Sequence, residues 1–129
     1  RDLWFYFAAT HLDHISAAAR EQGGIMLRDL FRRLGQPAIL GGDFNDLPGS
    51  VVHQTLTGPD SPFRDSWQAL GQTEAGISTQ HKFDGAFFGG RIDWILITDP
   101  FQLKKAEIIT YNQAGRYPSD HFPYYVDVE

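Results

Sequence analysis

The chain has 129 residues, a formal net charge of −5 and no cysteine. This length suffices for one domain with its own hydrophobic core, and the lack of cysteine excludes disulfides and thiolate metal sites within these residues. No apolar run approaches the roughly 20 residues that a membrane-spanning helix needs. The acidic balance argues against tight nucleic-acid binding, which depends on the neutralisation of phosphates.

The first part of the chain predicts a strand, a helix and a second strand. Residues 3–9 are aromatic or apolar on both faces, as in a central strand. An N-cap signal at Asp13 or Ser16 precedes residues 17–34, in which apolar side chains recur at helical spacing. The apolar run 37–40 then predicts a buried strand, so the three elements indicate a βαβ unit.

The rest of the chain predicts one short helix, a long irregular connection and three strands. Ser50 precedes a short helix over 51–56 that carries His53, for which we expect a structural role. Residues 57–90 are rich in glycine, proline, aspartate and serine. The strands are expected over 92–98, 103–111 and 124–128, and the tryptophans expected in the core are Trp4, Trp67 and Trp94. These elements predict one α/β unit, whose mixed sheet of about five strands is covered on one face by the long helix.

Polar side chains stand at the ends of four predicted strands. The motifs, in chain order, are Thr10-His11, Gly41-Gly42-Asp43-Phe44-Asn45, Arg91-Ile92-Asp93 and Ser119-Asp120-His121. Ligands of open α/β sheets gather at the carboxyl ends of strands. Acids, amides and imidazoles at such ends suit phosphate contact, proton transfer and metal binding.

Each motif also has a purely structural interpretation. Asp43 and Asn45 can cap a turn by bonding their own backbone, as Asx residues beside glycine commonly do. Asp120 can be a solvated turn residue, and Arg91 can be an ordinary surface base. The residues alone leave both interpretations open.

The four motifs, in this order, resemble the endonuclease/exonuclease/phosphatase superfamily. That group includes DNase I-like nucleases, abasic-site endonucleases, inositol-polyphosphate phosphatases and neutral sphingomyelinases. The resemblance spans residues 10–121 and matches the C-terminal half of the family domain. It implies that residues 1–129 are a fragment: half of a DNase I-like four-layer α/β sandwich, with a mixed β-sheet covered by helices. In the family, a second sheet from the other half packs on the uncovered face.

The resemblance implies a role for each acidic or amide residue of the motifs. Asp43 would orient or activate the nucleophile, with help from a metal, and Asn45 would hydrogen-bond the phosphoryl oxygens. His121 would be a general base or a phosphate contact, and Asp93 would pair with it to fix its tautomer. Asp120 would be a metal ligand.

The remaining candidates are substrate contacts and a metal ion. His11 would contact phosphate or protonate the leaving group, and Arg91 and His81 are candidate substrate contacts; His81 also fits a solvated loop histidine. The cofactor implied is Mg²⁺, with Mn²⁺ or Ca²⁺ as alternatives, because hard ions prefer oxygen ligands. The implied function is metal-dependent hydrolysis of a phosphoester that is a small molecule, a phospholipid or a nucleic acid.

Two other functions are compatible with the sequence. A non-catalytic relative of the same fold would bind a ligand or a partner. The run His11-Leu12-Asp13-His14 also resembles part of the His-x-His-x-Asp-His signature of metallo-β-lactamase-fold zinc hydrolases, but Ala9 stands where the first histidine would be. The acidic charge favours a phosphatase over a nuclease. We further expect the fragment to be weak or inactive alone, and to self-associate near Trp4 and Phe5.

Overall fold

A computed structural model describes residues 2–129 of the chain. Its helices and strands follow one another as β1 (Tyr6–His11), α1 (Ala17–Leu34), β2 (Ala38–Asp43), α2 (Val51–Thr57), β3 (Arg64–Asp65), α3 (Ser66–Ala69), β4 (Asp93–Ile97), β5 (Leu103–Ile108) and β6 (Tyr124–Val128). The fold is mixed α/β, as predicted, and the order of the predicted elements is confirmed. The very short β3 and α3 lie within the stretch for which an irregular connection was predicted.

The strands form two sheets, whereas one sheet of about five strands was predicted. Four strands lie in the order β1-β2-β4-β3, with β1 parallel to β2 and β4 antiparallel to both of its neighbours. The other two strands, β5 and β6, form a separate antiparallel pair. The division occurs after β4, where Thr98 and Pro100 end the strand: Thr98 bonds both backbone groups of Ala38, and a proline cannot donate to a ladder.

The long helix begins and ends where its capping residues lie. Ser16 is the N-cap, and its hydroxyl accepts a hydrogen bond from the backbone N–H of Ala19 at 3.1 Å. Gly35 is the C-cap in the left-handed region, with its N–H bonded to the carbonyl of Phe31. Phe31 is buried from this helix. It joins a core beneath α1 that also contains Ala38, Leu40, Phe44, Val52, Leu56, Phe63, Trp94 and Leu96.

The opposite face of the four-stranded sheet is open. A groove of about 620 Å³ lies between this face and the β5–β6 pair, and apolar side chains such as Phe7, Ile39 and Tyr125 line it. The first strand, β1, is an edge strand rather than the predicted central one, and most of its residues are exposed. Trp4 is 84% exposed, which corrects its predicted place in the core; Trp67 and Trp94 are buried. Within residues 2–129, no helix combines the length and hydropathy needed to cross a bilayer.

Candidate active site

Strand register places three of the polar residues in one row across the sheet. His11 at the end of β1 pairs with Asp43 at the end of β2. Asp43 in turn pairs with Asp93, the first residue of β4. Paired residues of neighbouring strands project to the same face of a sheet. The row therefore brings an imidazole and two carboxylates to one edge of the open face.

His121 completes this cluster from the turn that precedes β6. Its Nδ1 lies 2.8 Å from Asp93 Oδ2, so the hydrogen bond predicted between these residues is present. The carboxylate accepts, which places the ring proton on Nδ1 and leaves Nε2 of the neutral imidazole as an acceptor. That Nε2 lies 4.0 Å from Asp43 Oδ2, and His11 Nε2 lies 3.4 Å from the same oxygen. Asp43 is thus flanked by two imidazoles.

The end of β2 requires glycine at position 42. Gly42 has a φ of 150°, and a Cβ built there would lie 1.9 Å from the carbonyl oxygen of Thr10. This close approach of backbones lets β1 and β2 stay paired to their last residues. Asn45 then adopts a left-handed φ of 50°, which asparagine tolerates better than most residues.

The turn at Asp43 and Asn45 is compatible with both interpretations of their motif, because it uses only one carboxylate oxygen of Asp43. The backbone N–H of Asn45 donates to Asp43 Oδ1 at 2.8 Å, which is an Asx turn. The side-chain amide of Asn45 donates to the carbonyl of Leu12 at 2.9 Å. One carboxylate oxygen of Asp43 therefore holds the turn, while the other faces the histidines.

The turn that carries His121 is bound to the long connection. His81 donates its backbone N–H to the carbonyl of Asp120 at 2.7 Å, and Phe122 donates to the carbonyl of Thr79 at 2.8 Å. The Thr79 hydroxyl oxygen also accepts from the backbone N–H of Asp93 at 3.1 Å. Thr79 thus fixes both halves of the His121–Asp93 pair. No sequence signal indicated this role, because a lone threonine in an irregular stretch has no pattern.

Burial controls the protonation of Asp93. Desolvation raises the pKa of this carboxyl above its ordinary value of 3.8, and hydrogen bonds with Thr79 and His121 oppose the rise only in part. The proximity of the Asp43 carboxylate adds to the increase in the pKa. The cost of burying the Asp93 charge is therefore offset incompletely, as is common in sites that act on substrates.

Three predicted site residues lie apart from this cluster: Asp120, Arg91 and His81. Asp120 is exposed, its carboxylate lies 3.3 Å from the hydroxyl of Ser119, and it is not among the three residues that converge. Arg91 is fully buried against Asp65 and Glu74, so its side chain points away from the residues that converge.

His81 is buried as well, so it is neither a solvated loop residue nor an accessible substrate contact in this structure. Its ring stacks on Phe122 at a centroid distance of 4.1 Å, and its Nδ1 accepts from the backbone N–H of Gly85. Phe122 directly follows His121, so the stacking of His81 on Phe122 supports the turn that carries His121.

A second histidine–aspartate pair lies in the interior, and sequence reasoning did not identify it. His53 Nε2 lies 2.9 Å from Asp65 Oδ2, and Arg91 Nη2 lies 2.8 Å from the same oxygen. Arg91 also binds Glu74 through two nitrogens, at 2.6 and 3.0 Å. Burial by itself would raise the pKa of Asp65, but the hydrogen bond with His53 and the charge of Arg91 hold that pKa below 3.8.

The cluster at the sheet edge also supplies part of the ligand set that a divalent cation needs. Ligand atoms of Asp43, Asp93 and His121 all lie within 4.8 Å of one another. Mg²⁺ is usually held by one or two carboxylates together with water and substrate phosphate oxygens. The two carboxylates therefore fit such an ion, and Asp120 is not needed for the fit.

Comparison with known proteins identifies a family. The model of the endonuclease/exonuclease/phosphatase family matches residues 6–121, which include His11, Asp43, Asp93 and His121. No curated protein matches the sequence.

Several solved structures share the fold. A mannosyl-6-phosphatase from Bacteroides thetaiotaomicron VPI-5482 is 27% identical, with a TM-score of 0.79 over 98% of this chain and 51% of its own. A functionally unknown conserved protein from Enterococcus faecalis V583 is 31% identical, with a TM-score of 0.77 over 94% of this chain and 48% of its own. The human Nocturnin catalytic domain is 22% identical, with a TM-score of 0.70 over 94% of this chain and 45% of its own.

The chain spans about half the length of these structures. The family match nevertheless covers most of the chain and includes the residues that converge at the sheet edge. The chain therefore belongs to the endonuclease/exonuclease/phosphatase family.

Proposed function

We propose that the protein is a metal-dependent phosphoester hydrolase. The observation that carries the proposal is the position of His121, which is bonded to Asp93 on one side and lies 4.0 Å from Asp43 on the other. A water between His121 Nε2 and Asp43 Oδ2 would have two acceptors for its protons. Asp93 would stabilise the imidazolium that forms when His121 takes a proton.

His11 and Asn45 complete the proposed chemistry. His11 Nε2 lies on the other side of Asp43, and the side chain of His11 is 71% exposed, so it can reach the leaving oxygen and protonate it. Asn45 is held beside Asp43 by the Asx turn and would contact the phosphoryl oxygens. A Mg²⁺ ion, or Mn²⁺ or Ca²⁺, held at Asp43 and Asp93 would neutralise phosphoryl charge.

The substrate that we favour is a small phosphoester rather than a nucleic acid. The mannosyl-6-phosphatase is 27% identical to this chain, whereas the match to Nocturnin, at 22% identity, concerns the fold alone. The net charge of −5 also opposes the binding of a polyanion. A phospholipid headgroup fits the same chemistry and is the second candidate.

We test the function with p-nitrophenyl phosphate and bis-p-nitrophenyl phosphate, in the presence of Mg²⁺, Mn²⁺, Ca²⁺ or Zn²⁺. Turnover should require Mg²⁺ or Mn²⁺ and should fall by a factor of about 10² or more in Asp43→Asn. Asp46→Asn is the matched control, since Asp46 is a nearby acid that pairs with Arg20. A folded protein without turnover in any metal would support a binding relative, and activity with Zn²⁺ alone would support a zinc hydrolase.

We further propose that residues 1–129 act as the C-terminal half of a longer domain, and that this half alone is weak or inactive. The reason is the ligand count: two carboxylates and one imidazole converge here, and Mg²⁺ needs further oxygen ligands to hold it tightly. Activity should therefore be measured in the complete protein and in the 129-residue chain side by side. Equal specific activity in the two would contradict the proposal.

The open groove gives the isolated chain a surface for self-association. Its apolar lining and the exposed Phe7 on the edge strand β1 favour pairing with a second copy of the chain. Trp4 and Phe5 lie directly before this strand. The solution mass of the chain should correspond to a dimer or larger, and Phe7→Glu should lower that mass. A monomer at micromolar concentration would contradict this proposal.

A further inference from the structure

A second groove is lined by chain segments that flank the residues of the catalytic cluster in sequence. It has a volume of about 410 Å³ and lies between the loop after Asn45 and the end of the long connection. Its walls include Leu47, Phe87 and Phe88, which are each about half exposed. Exposed aromatic side chains around a concave surface indicate a ligand with an apolar face.

The groove also contains a fixed carboxylate. Glu74 lines it and is 34% exposed, so its oxygens remain reachable from the groove. Arg91 holds this carboxylate through two nitrogens, and Gln68 donates to Glu74 Oε1 at 3.2 Å. Arg91 Nη1 is buried with no hydrogen-bond partner within residues 2–129. Glu74 therefore offers a positioned acceptor that does not have to be ordered when a ligand binds.

Three segments of the chain connect the groove to the cluster. Leu47 follows Asn45 by two residues, and Arg91 precedes Asp93 by two residues. The third segment is contacted by Phe87, whose ring packs edge-on against Phe122 at a centroid distance of 5.5 Å.

The aromatic wall is held in place by the connection itself. The hydroxyl oxygen of Ser78 lies within hydrogen-bond distance of the carbonyls of Gln80, Phe88 and Gly90, and it donates its single proton within this group. Phe88 also donates its N–H to Gln80, and the ammonium of Lys82 lies 4.5 Å from the centre of the Phe88 ring. The wall is thus formed before any ligand arrives.

We propose that this groove binds the sugar ring of a monosaccharide phosphate whose phosphate group lies at Asp43 and His121. The C–H face of a pyranose packs on aromatic rings, while its hydroxyls donate to a carboxylate, and Phe88 and Glu74 supply these two partners. An acyl chain would cover the exposed part of Glu74 and offer no hydroxyl donor to replace its water, and a nucleic-acid backbone would meet its negative charge. This inference rests on the proposed hydrolase function and specifies its substrate.

The test compares two substrates in the complete protein. We measure kcat/KM for mannose 6-phosphate and for butyl phosphate in Phe88→Ala and in Glu74→Gln. For the sugar phosphate, kcat/KM should fall by about tenfold or more in each variant, because a stacking face or a charged acceptor is lost. For butyl phosphate the change should stay within about threefold. The matched control is Phe83→Ala, which removes an equally exposed aromatic of the same connection that does not line the groove.

A binding measurement separates failure of the groove from failure of the hydrolase. Methyl α-D-mannoside is titrated into Asp43→Asn protein, and the methyl resonances of Leu47 are followed by NMR. A saturable shift with a Kd of about 10 mM or tighter, lost in Phe88→Ala, is expected. Such a shift, together with no phosphoester turnover by the unsubstituted complete protein, would refute the hydrolase and keep the sugar site. Equal losses for both substrates, or the absence of a saturable shift, would overturn the sugar site.

Discussion

The histidine–aspartate pair at the sheet edge and the pair in the interior have nearly the same geometry but different surroundings. His121 lies 2.8 Å from Asp93, and His53 lies 2.9 Å from Asp65. The Asp93 pair is partly exposed and faces a second carboxylate, whereas the Asp65 pair is buried and shares its oxygen with Arg91. The pKa of Asp93 is accordingly raised by burial, while that of Asp65 is held low despite burial.

The difference shows that a histidine–aspartate distance does not by itself indicate catalysis. A fixed cation neutralises the interior pair, so the loss of one partner would leave a buried charge uncompensated. Among residues 2–129, no cation is hydrogen-bonded to the pair at the edge, and His121 Nε2 faces Asp43. We therefore assign chemistry to the pair whose charge is incompletely balanced, and structure to the other.

The same substitution in both pairs should separate these roles most strongly. Asp93→Asn should lower kcat by a factor of about 10² to 10⁴, because the imidazolium of His121 loses its partner. Its free energy of unfolding should not fall, since a desolvated charge is removed. Asp65→Asn should lower the free energy of unfolding and leave kcat per folded molecule within a few-fold. Turnover assays and urea unfolding of both variants measure this, and a reversed pattern would exchange the two assignments.

Removal of the interior cation should give the largest change in stability. Arg91→Met keeps the length of the side chain but leaves Asp65 and Glu74 without their partner. Breaking a buried ion pair in this way costs about 3–5 kcal/mol. The control is Lys104→Met, which removes an exposed pair with Glu129 and should cost less than about 1 kcal/mol. Equal losses in the two variants would show that the burial of Arg91 adds nothing to the free energy of unfolding.

Locally specified elements were predicted best from the sequence. Helix α1 agrees at both ends, because Ser16 and Gly35 cap it through their own side chain and backbone. Strand β1 was placed three residues too early at its start, because its bounds depend on pairing with β2 rather than on its own apolar run. The two-residue strand β3 exists only through its ladder with β4, so no local pattern could predict it.

The candidate site was predictable where motifs lie at strand ends. His11, Asp43 and Asp93 meet because strand register aligns three chain segments, and the family resemblance already implied that His121 pairs with Asp93. The burial of Arg91 was not predicted, because its position beside Asp93 suggested a shared role. Its burial depends on the long connection, which contributes an acid 17 residues earlier in the chain and another 26 residues earlier. Sequence spacing carries no signal for such distant pairing.

Acid titration should give the two aspartates opposite effects on stability. The pKa of Asp65 is lower in the folded state, so its contribution is present above about pH 4 and is lost as the pH falls through the folded value. The pKa of Asp93 is raised by burial, so the folded state binds that proton more tightly. The contribution of Asp93 is therefore present below about pH 4 and is lost as the pH rises through its folded value.

Unfolding free energies between about pH 3 and pH 6, measured with a chelator present, check this difference in sign. Relative to the unsubstituted protein, Asp65→Asn should reduce the loss of stability on acidification. Asp93→Asn should make that loss steeper, since the compensating proton uptake is removed. Parallel curves for all three proteins would contradict the opposite directions of the two pKa shifts.

The smallest expected effect concerns the contact that joins the two regions. Tyr124 begins β6, which follows the turn of His121, and its hydroxyl lies 2.6 Å from the hydroxyl of Ser66, next to Asp65. Burial raises the pKa of Tyr124 to about 12, so the phenol stays neutral and keeps this bond across the working pH range.

Tyr124→Phe should therefore cost about 0.5–1.5 kcal/mol in the free energy of unfolding and leave kcat unchanged. Tyr125→Phe is the control, because the neighbouring hydroxyl bonds only the exposed Glu107 and should cost less. A fall in kcat in Tyr124→Phe, without a comparable fall in Tyr125→Phe, would mean that the interior pair positions His121 through β6. The two histidine–aspartate pairs would then act as one unit. An unchanged kcat with the expected loss of stability would show that the two pairs act independently.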